Sequence, residues 1–405
     1  MTGVYGHQTR PHNLRHMSID IEKNIEFLFR NMEHEIKERS RKRAEIWALK
    51  SFRDRSRTKM EGGFVMKVHI TNLYGIGGTI GKAQQMVADV AKRDLHYNEL
   101  GIYKYPMNSD TPDMLRTRLD GIIASVSHGD IVIFQLPTWN SLRFDQAFVS
   151  HFNGYRELKK IFFIHDVPPL MEKRILNELD QYIAFFNRAD LIILPSQNMA
   201  DFLRERGLTV QKIVIQKMWD APMDIDLTKK PEFRKRINFA ANVVLVPRPF
   251  VQNWNNDRVG LAVTAEPREY DWAKGRNIHF LGWFNNENLL ADALRKSGGF
   301  GLLWHDDPVW KEYMKYNTGC KIGTYLGAGL PIIVPDSSSV ADTIRRKNLG
   351  LAVDSLEEAS DQVEHMTEGQ YNQMLQDVNS FGNLIRNGYF AKKLLTDAVF
   401  NLLYE

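Results

Sequence analysis

The stretch MKVHITNLYGIGGTIGKAQQMVADVAK, residues 66–92, decides the fold. Val68 to Thr71 is a short apolar run, Asn72 to Gly81 reads as a glycine-rich loop, and Lys82 to Lys92 places its apolar residues at helical spacing. A strand that runs through glycines into a helix opens a Rossmann-like unit, with the loop at the strand's carboxyl end, where ligands of such sheets bind. The glycines at 75, 77, 78 and 81 either admit a ligand close to the backbone or form a plain flexible turn. They do not spell a dinucleotide site. Ile80 stands where that fingerprint needs glycine or alanine, and the next strand ends in Tyr103-Lys104-Tyr105 without an acidic residue for a ribose.

The alternation continues outward from this unit. Apolar runs at Leu100 to Tyr103, Ile131 to Gln135, Ile161 to Ile164 and Leu191 to Leu194 are separated by helical stretches such as Met114 to Ser127 and Glu172 to Asn187. A polar stretch with two prolines, Asp220 to Arg236, reads as an interdomain linker. A second series follows, with strands expected at Ile237 to Ala241, Gly260 to Thr264, Ile278 to Leu281, Phe300 to Trp304, Pro331 to Val334 and Leu351 to Val353. Helices are expected between them at Glu287 to Lys296 and Lys321 to Ala328. This predicts an α/β protein of two Rossmann-like domains facing a cleft, residues 66–235 and 236–388. The closing helix, 389–405, carries Phe390, Leu394, Leu395, Val399 and Leu402 at helical spacing and is expected to pack back on the first domain.

The formal charge of +4 belongs to the first 65 residues, which hold 14 Lys and Arg against 9 Asp and Glu; the remainder has 39 against 40. The folded body is therefore not read as a polyanion binder. Residues 1–65 read as a basic extension, disordered or a charged helix with a broken apolar stripe from Ile21 to Ile36. Glu61-Gly62-Gly63 can be encoded as a ribosome-binding string shortly before the codon of Met66, so translation is expected to start at Met66; the intact mass of the natively expressed protein tests this. With one cysteine, Cys320, no secretory signal and no apolar run of about 20 residues, a cytoplasmic protein is expected, at most peripheral to a membrane.

Several segments between strands and helices carry residues suited to chemistry. F-Q-L-P-T-W-N offers Trp139 and Asn140, which either hold a sugar ring by stacking and hydrogen bonding or simply pack. F-F-I-H-D-V-P-P-L offers His165 and Asp166, as sugar ligand or proton donor, or as a satisfied structural pair. In Y-N-T-G-C-K-I-G-T-Y-L-G-A-G-L-P, Asn317 and Thr318 are good helix caps, Gly319 lets a phosphate approach, and Lys321 adds positive charge. A diphosphate seat without metal competes there with simple capping. Cys320 reads as an inert buried thiol, and Asp306-Asp307 as an ordinary acidic loop, since adjacent side chains diverge. No metal and no cofactor are expected.

From M-K-V-H-I-T-N through H-G-D-I-V-I-F-Q-L-P-T-W-N, F-I-H-D-V-P-P-L-M and K-I-G-T-Y-L-G-A-G-L-P to F-A-K-K-L-L-T-D-A-V-F, the chain resembles a known family. These are the accessory glucosyltransferases, often called glucosyltransferase three, that extend glycans on bacterial serine-rich repeat adhesins. The resemblance spans Met66 to Tyr404. It implies a GT-B fold, a metal-independent reaction and a donor that is UDP-glucose or UDP-N-acetylglucosamine, held mainly by the second half. It also implies an acceptor of N-acetylglucosamine on serine or threonine of an adhesin, a second step of O-glycan assembly, and a homo-oligomer, dimer or tetramer. Carried over by motif, Lys321 binds the diphosphate, Trp283 lies near the nucleotide, and Asn72 and Thr79 face the reaction centre. In F-A-A-N-V-V-L-V-P-R-P-F the family's glycine is replaced by Ala241 and its basic residue comes late, as Arg248, which is expected to grip the diphosphate. A galactofuranosyltransferase of the same fold for polysaccharide, or a non-catalytic subunit of a glycosylation complex, are the competing readings.

Overall fold

A computed structural model of the chain describes residues 66–404 except 242, 244–247 and 267–269, so the expectations for residues 1–65 lie outside it. The first strand, β1 (Val68–Tyr74), is followed by helix α1 (Gly78–Leu95), β2 (Asn98–Tyr103), α2 (Pro112–Ile122) and β3 (Ile131–Leu136). The chain continues through α3 (Leu142–Ser150), β4 (Lys159–Ile164), α4 (Pro168–Met171), α5 (Leu179–Phe186), β5 (Leu191–Leu194), α6 (Gln197–Glu205) and β6 (Ile213–Ile215). All pairings are parallel, in the order β2-β1-β3-β4-β5-β6. Every residue of β3 and β5 is buried, as a parallel sheet covered on both faces requires. Helix starts are set locally: Thr111 caps α2 ahead of Pro112, Ser141 caps α3 and Ser196 caps α6.

The second sheet is built from β7 (Arg236–Phe239), β8 (Gly260–Val263), β9 (Ile278–Phe280), β10 (Phe300–Leu302), β11 (Ile332–Pro335) and β12 (Gly350–Val353). Its order is β12-β11-β10-β7-β8-β9, again parallel. The connecting helices are α7 (Pro249–Gln252), α8 (Glu287–Ser297), α9 (Pro308–Tyr313), α10 (Lys321–Gly327), α11 (Ala341–Arg346) and α12 (Leu356–His365). Two longer helices follow, α13 (Glu368–Arg386) and α14 (Tyr389–Tyr404). Leu394, Leu395, Ala398 and Leu402 of α14 join a core with Val87, Ala88 and Ala91 of α1 and Ile193 of β5, so the last helix packs on the first half. Buried Asp220 fastens its start by accepting hydrogen bonds from the Phe390 and Ala391 amides at 3.2 and 2.5 Å.

The helix after β1 begins at Gly78, earlier than expected, so the glycine loop shrinks to residues 75–77. Gly75 and Gly78 have φ of +75° and +74°, which glycine adopts without steric cost. The sixth strand of the first sheet, β6, is three residues long and too short to announce itself by periodicity. The expected helix from Glu172 to Asn187 is broken into a 3₁₀ segment, Lys173–Glu178, and α5; the one from Met114 to Ser127 ends at Ile122.

In each sheet the strand order reverses once, between β1 and β3 and between β7 and β10. Crevices in open parallel sheets form outside the carboxyl ends of strands at such points. The segments that follow these four strands carry Thr79, in the first turn of α1, and the loop residues Trp139, Arg248 and His305.

Candidate active site

A cavity of about 500 Å³ lies where those segments converge, lined from the first half by Thr79, Trp139, His165 and Asp166. From the second half it is lined by Phe239, Arg248, Trp304, His305, Trp310 and the run Asn317 to Lys321. A larger cavity of about 840 Å³ adjoins it, walled by Ala240, Ala241, Thr264, Trp283, Asn285, Asn286, Glu287 and Thr324. Both contain Thr79, Trp219, Arg248, Cys320 and Lys321, which therefore stand at their junction.

Two cations meet at this junction. Lys321 opens α10, half-buried, with Nζ 5.4 Å from the centre of the Phe239 ring and no carboxylate within ion-pair reach among the described residues. Burial first, and then Arg248, pulls its pKa below the ordinary lysine value. Arg248 directs Nη1 to Nε2 of His305 at 2.6 Å, while its Nε is buried without a partner among the described residues. Burial lowers its pKa too. Two partly desolvated cations with no direct ion-pair partner among the described residues are stabilised by a bound anion with more than one charge. Cys320, beside them, has its thiol pushed up to about 11 by burial and stays protonated at neutral pH.

Asn317 and Thr318 are not helix caps. Cys320 occupies the N-cap position of α10 and no side chain caps it. The two residues instead fasten the halves together: Asn317 Nδ2 donates to Asp166 Oδ1 at 2.9 Å, and Thr318 Oγ1 donates to the Pro195 carbonyl at 3.3 Å. Tyr313 OH donates to the same Asp166 oxygen at 3.0 Å and accepts from the Val167 amide at 3.1 Å. Trp219 Nε1 donates to the Thr318 carbonyl at 2.6 Å. Gly323 keeps this joint closed, because a Cβ there would lie 2.7 Å from the Trp219 carbonyl oxygen.

Asp166 therefore has Oδ1 held twice, while Oδ2 has no hydrogen-bond partner among the described residues. Burial raises its carboxyl to about 7, against the opposing pull of Tyr313 and Asn317. Neighbouring His165 is buried, its ring tilted against those of Phe163 and Trp219 with centres 4.3 and 5.1 Å away, and burial drops its pKa to about 3. Burial thus favours the neutral ring, which is a weak proton donor. Both ring nitrogens lack partners among the described residues, which leaves it as a hydrogen-bonding wall.

Trp139 adopts φ +57°, rare for a bulky residue, and its buried indole Nε1 has no partner among the described residues. The loop that holds it is tied down by buried Asp145, which accepts from Thr138 Oγ1 at 2.5 Å. Asn140 is committed elsewhere, accepting from the Tyr105 amide at 3.0 Å, so it does not share a sugar-holding role with Trp139. Asn72 is also a correction: it is buried within β1, donates to Tyr74 OH at 3.1 Å and Glu99 Oε2 at 3.2 Å, and lines neither cavity. Thr79, in the first turn of α1, lines both. Trp283 is 47% exposed on the wall of the larger cavity, donating to Asn285 Oδ1 at 3.1 Å. Among the described residues, no group of three or more His, Cys, Asp or Glu side chains is placed to hold a metal ion.

Burial raises the Asp145 carboxyl to about 7 as well. A carboxyl whose folded pKa lies above its unfolded value of about 3.9 adds stability below that value and loses it as pH rises through the folded pKa. The wild type is therefore expected to lose about 2 kcal/mol from this group between pH 5.5 and 8, and Asp145→Asn to remove that part of the slope. Thermal melts of both proteins across the range check it; parallel slopes reject it.

Sequence reasoning missed His305, Trp310 and Tyr313. W-H-D-D-P at the end of β10 was a strand-end loop like the others, but its reading stopped at the two aspartates. Those aspartates have separate duties: Asp306 accepts from the Phe250 amide at 2.9 Å, and Asp307 caps α9. Tyr313 and Trp310, three apart on a short helix, carry no local signal beyond ordinary burial.

Residues 67–218 match the family described as glucosyltransferase 3-like, N-terminal domain, and residues 237–398 its C-terminal domain. Glucosyltransferase 3 of Streptococcus gordonii is 44% identical over 343 residues, covering 84% of this chain and 100% of the relative. Glucosyltransferase 3 of Streptococcus parasanguinis is 38% identical over 349 residues, with 84% and 100% covered. A crystal structure of Anabaena HepE in complex with UDP and glucose superposes with a TM-score of 0.55 at 10% identity, covering 82% of this chain and 99% of that one. At that identity the likeness speaks for the fold alone. With both halves matched and whole relatives aligned, the chain belongs to the glucosyltransferase 3-like family and is a glycosyltransferase of the GT-B fold.

Proposed function

We propose that this chain transfers glucose from UDP-glucose to an N-acetylglucosamine already attached to serine or threonine of a serine-rich repeat adhesin, the second step in building an O-linked glycan. The observation that carries this reading is the pair of cations, Lys321 and Arg248, without carboxylate partners among the described residues, at the junction of two cavities. A nucleotide placed along Trp283 and Thr264 in the larger cavity would bring its diphosphate to them and its sugar into the smaller, aromatic-walled one. The bond from the anomeric carbon to the diphosphate oxygen breaks as the acceptor hydroxyl attacks. Lys321 and Arg248 stabilise the charge that grows on the leaving UDP. The hydroxyl proton passes to Asp166 Oδ2, whose pKa near 7 suits a base at neutral pH. Trp139 and His165 offer hydrogen bonds and a stacking surface to the sugars.

A panel of UDP-glucose, UDP-N-acetylglucosamine, UDP-galactose and UDP-galactofuranose, assayed against an adhesin peptide with and without N-acetylglucosamine, tests the proposal. Glucose transfer to the glycosylated peptide alone is expected. Preferential furanose transfer would overturn the assignment of donor. Absence of donor binding by calorimetry would make the chain a non-catalytic subunit.

A further inference from the structure

Arg248 sits at the start of a helix of only four residues, α7, which by itself is a poor platform for aiming a long side chain. What holds it comes from the neighbouring strand end. His305 Nε2 is 2.6 Å from Arg248 Nη1, and the next residue, Asp306, accepts from the Phe250 amide at 2.9 Å, so the segment is pinned at two points. The His305 ring is fixed in turn by stacking on Trp310, with ring centres 5.4 Å apart and planes inclined by 19°. Trp310 is placed by α9, whose first turn Asp307 caps by accepting from the Val309 and Trp310 amides. Three consecutive residues thus build a support around one guanidinium.

The chemistry of the contact defines the state of the ring. The Arg248 guanidinium and the Asp307 amide can both only donate, and they approach His305 Nε2 at 2.6 Å and Nδ1 at 3.2 Å. A neutral imidazole accepts at one nitrogen alone, and the shorter, charge-assisted contact to Arg248 assigns the lone pair to Nε2 and the ring proton to Nδ1. Burial, and then Arg248, holds the imidazole far down, at about 4, so the accepting form prevails near neutrality.

We infer that His305 is a positioning residue for transfer: by accepting a hydrogen bond from Arg248 while stacked on Trp310, it aims the guanidinium at the nucleoside diphosphate. The inference rests on the reading that Arg248 grips that diphosphate. Without the acceptor, Arg248 turns toward Asp306 and Asp307, whose charges already act on it.

Three variants test it. His305→Phe keeps a ring to stack on Trp310 but has no acceptor, and is expected to lower kcat/KM for the UDP-sugar about 10-fold, the worth of one charge-assisted hydrogen bond. His305→Gln restores an acceptor and is expected to recover activity to within about 3-fold of wild type. Arg248→Ala is expected to cost at least as much as His305→Phe, and the double variant no more than Arg248→Ala alone, as for two residues acting through one contact. If His305→Phe does not fold, His305→Leu takes its place. Should Arg248→Ala leave kcat/KM unchanged, the diphosphate reading falls. Should it fall sharply while His305→Phe is silent, or should the two losses add, the positioning role is overturned. Equal losses in the Phe and Gln variants would also overturn it, since packing alone would then explain both.

Discussion

Lys321→Ala is expected to lower kcat for transfer from a UDP-sugar by about 10²–10³-fold, the usual worth of one preorganised donor to a developing charge, with the fold intact. The two halves of that expectation have separate reasons. The ammonium stands at the junction of both cavities with Arg248, where the leaving diphosphate must gather charge. It also has no carboxylate partner among the described residues, and burial disfavours its charged form, so its removal orphans no buried anion and relieves a desolvated cation. The thermal midpoint should therefore hold or rise. Lys321→Arg, which keeps the charge but enlarges a half-buried head group, should retain part of the activity. Turnover within about 3-fold of wild type in the alanine variant would remove Lys321 from the site. A collapse of the melting transition would mean that it serves the core.

Asp166→Asn carries the second large effect, a loss of about 10²–10⁴-fold in kcat if the carboxylate is the base. The amide oxygen can still accept from Tyr313 and Asn317, so the joint between the halves is preserved while the proton acceptor is lost. In the wild type kcat should rise with pH through about 7 and level off above, as the carboxyl deprotonates. Stability should run the other way. The folded pKa is raised, so the contribution of this group is complete below the unfolded value and is lost as pH rises through about 7. The asparagine variant should thus be more stable than wild type at pH 8 and nearly inactive there. A variant that keeps its activity, or a wild-type kcat flat from pH 5.5 to 8, would assign the proton to another group or to water.

Much of this architecture is legible in the chain because its signals are local. Ile131 to Phe134 is apolar at every position and Gln135 is the single polar residue before Leu136, a run that only a strand covered on both faces tolerates. The helical spacing of Lys82 to Lys92 and of Glu287 to Lys296 falls within α1 and α8. Local reasoning misled at Asn317 and Thr318, which are good caps by type. Tertiary contacts to Asp166 and Pro195 claimed their side chains, and α10 began at Lys321 without a cap. Asn72 failed for a related reason. β1 runs three residues beyond the predicted strand, so the position lies inside the sheet, and Tyr74 and Glu99 accept from its Nδ2 there.

By itself, the sequence determined two parallel sheets, the returning final helix and most strand-end loops, because burial periodicity is written within a few residues. Only the tertiary structure decided which strand ends face one another. Periodicity reports that a strand is covered but not which strand lies beside it, and the order reverses between β1 and β3 and between β7 and β10 by pairings between distant segments. Those reversals bring Thr79, Trp139, Arg248 and His305 to one cavity, while the seam at Tyr313, Asn317 and Asp166 brings Lys321 to it. The charge states of the site were likewise decided there. Burial raised Asp166 and lowered His165 in adjacent positions, and nothing in the dipeptide His165-Asp166 distinguishes the two outcomes.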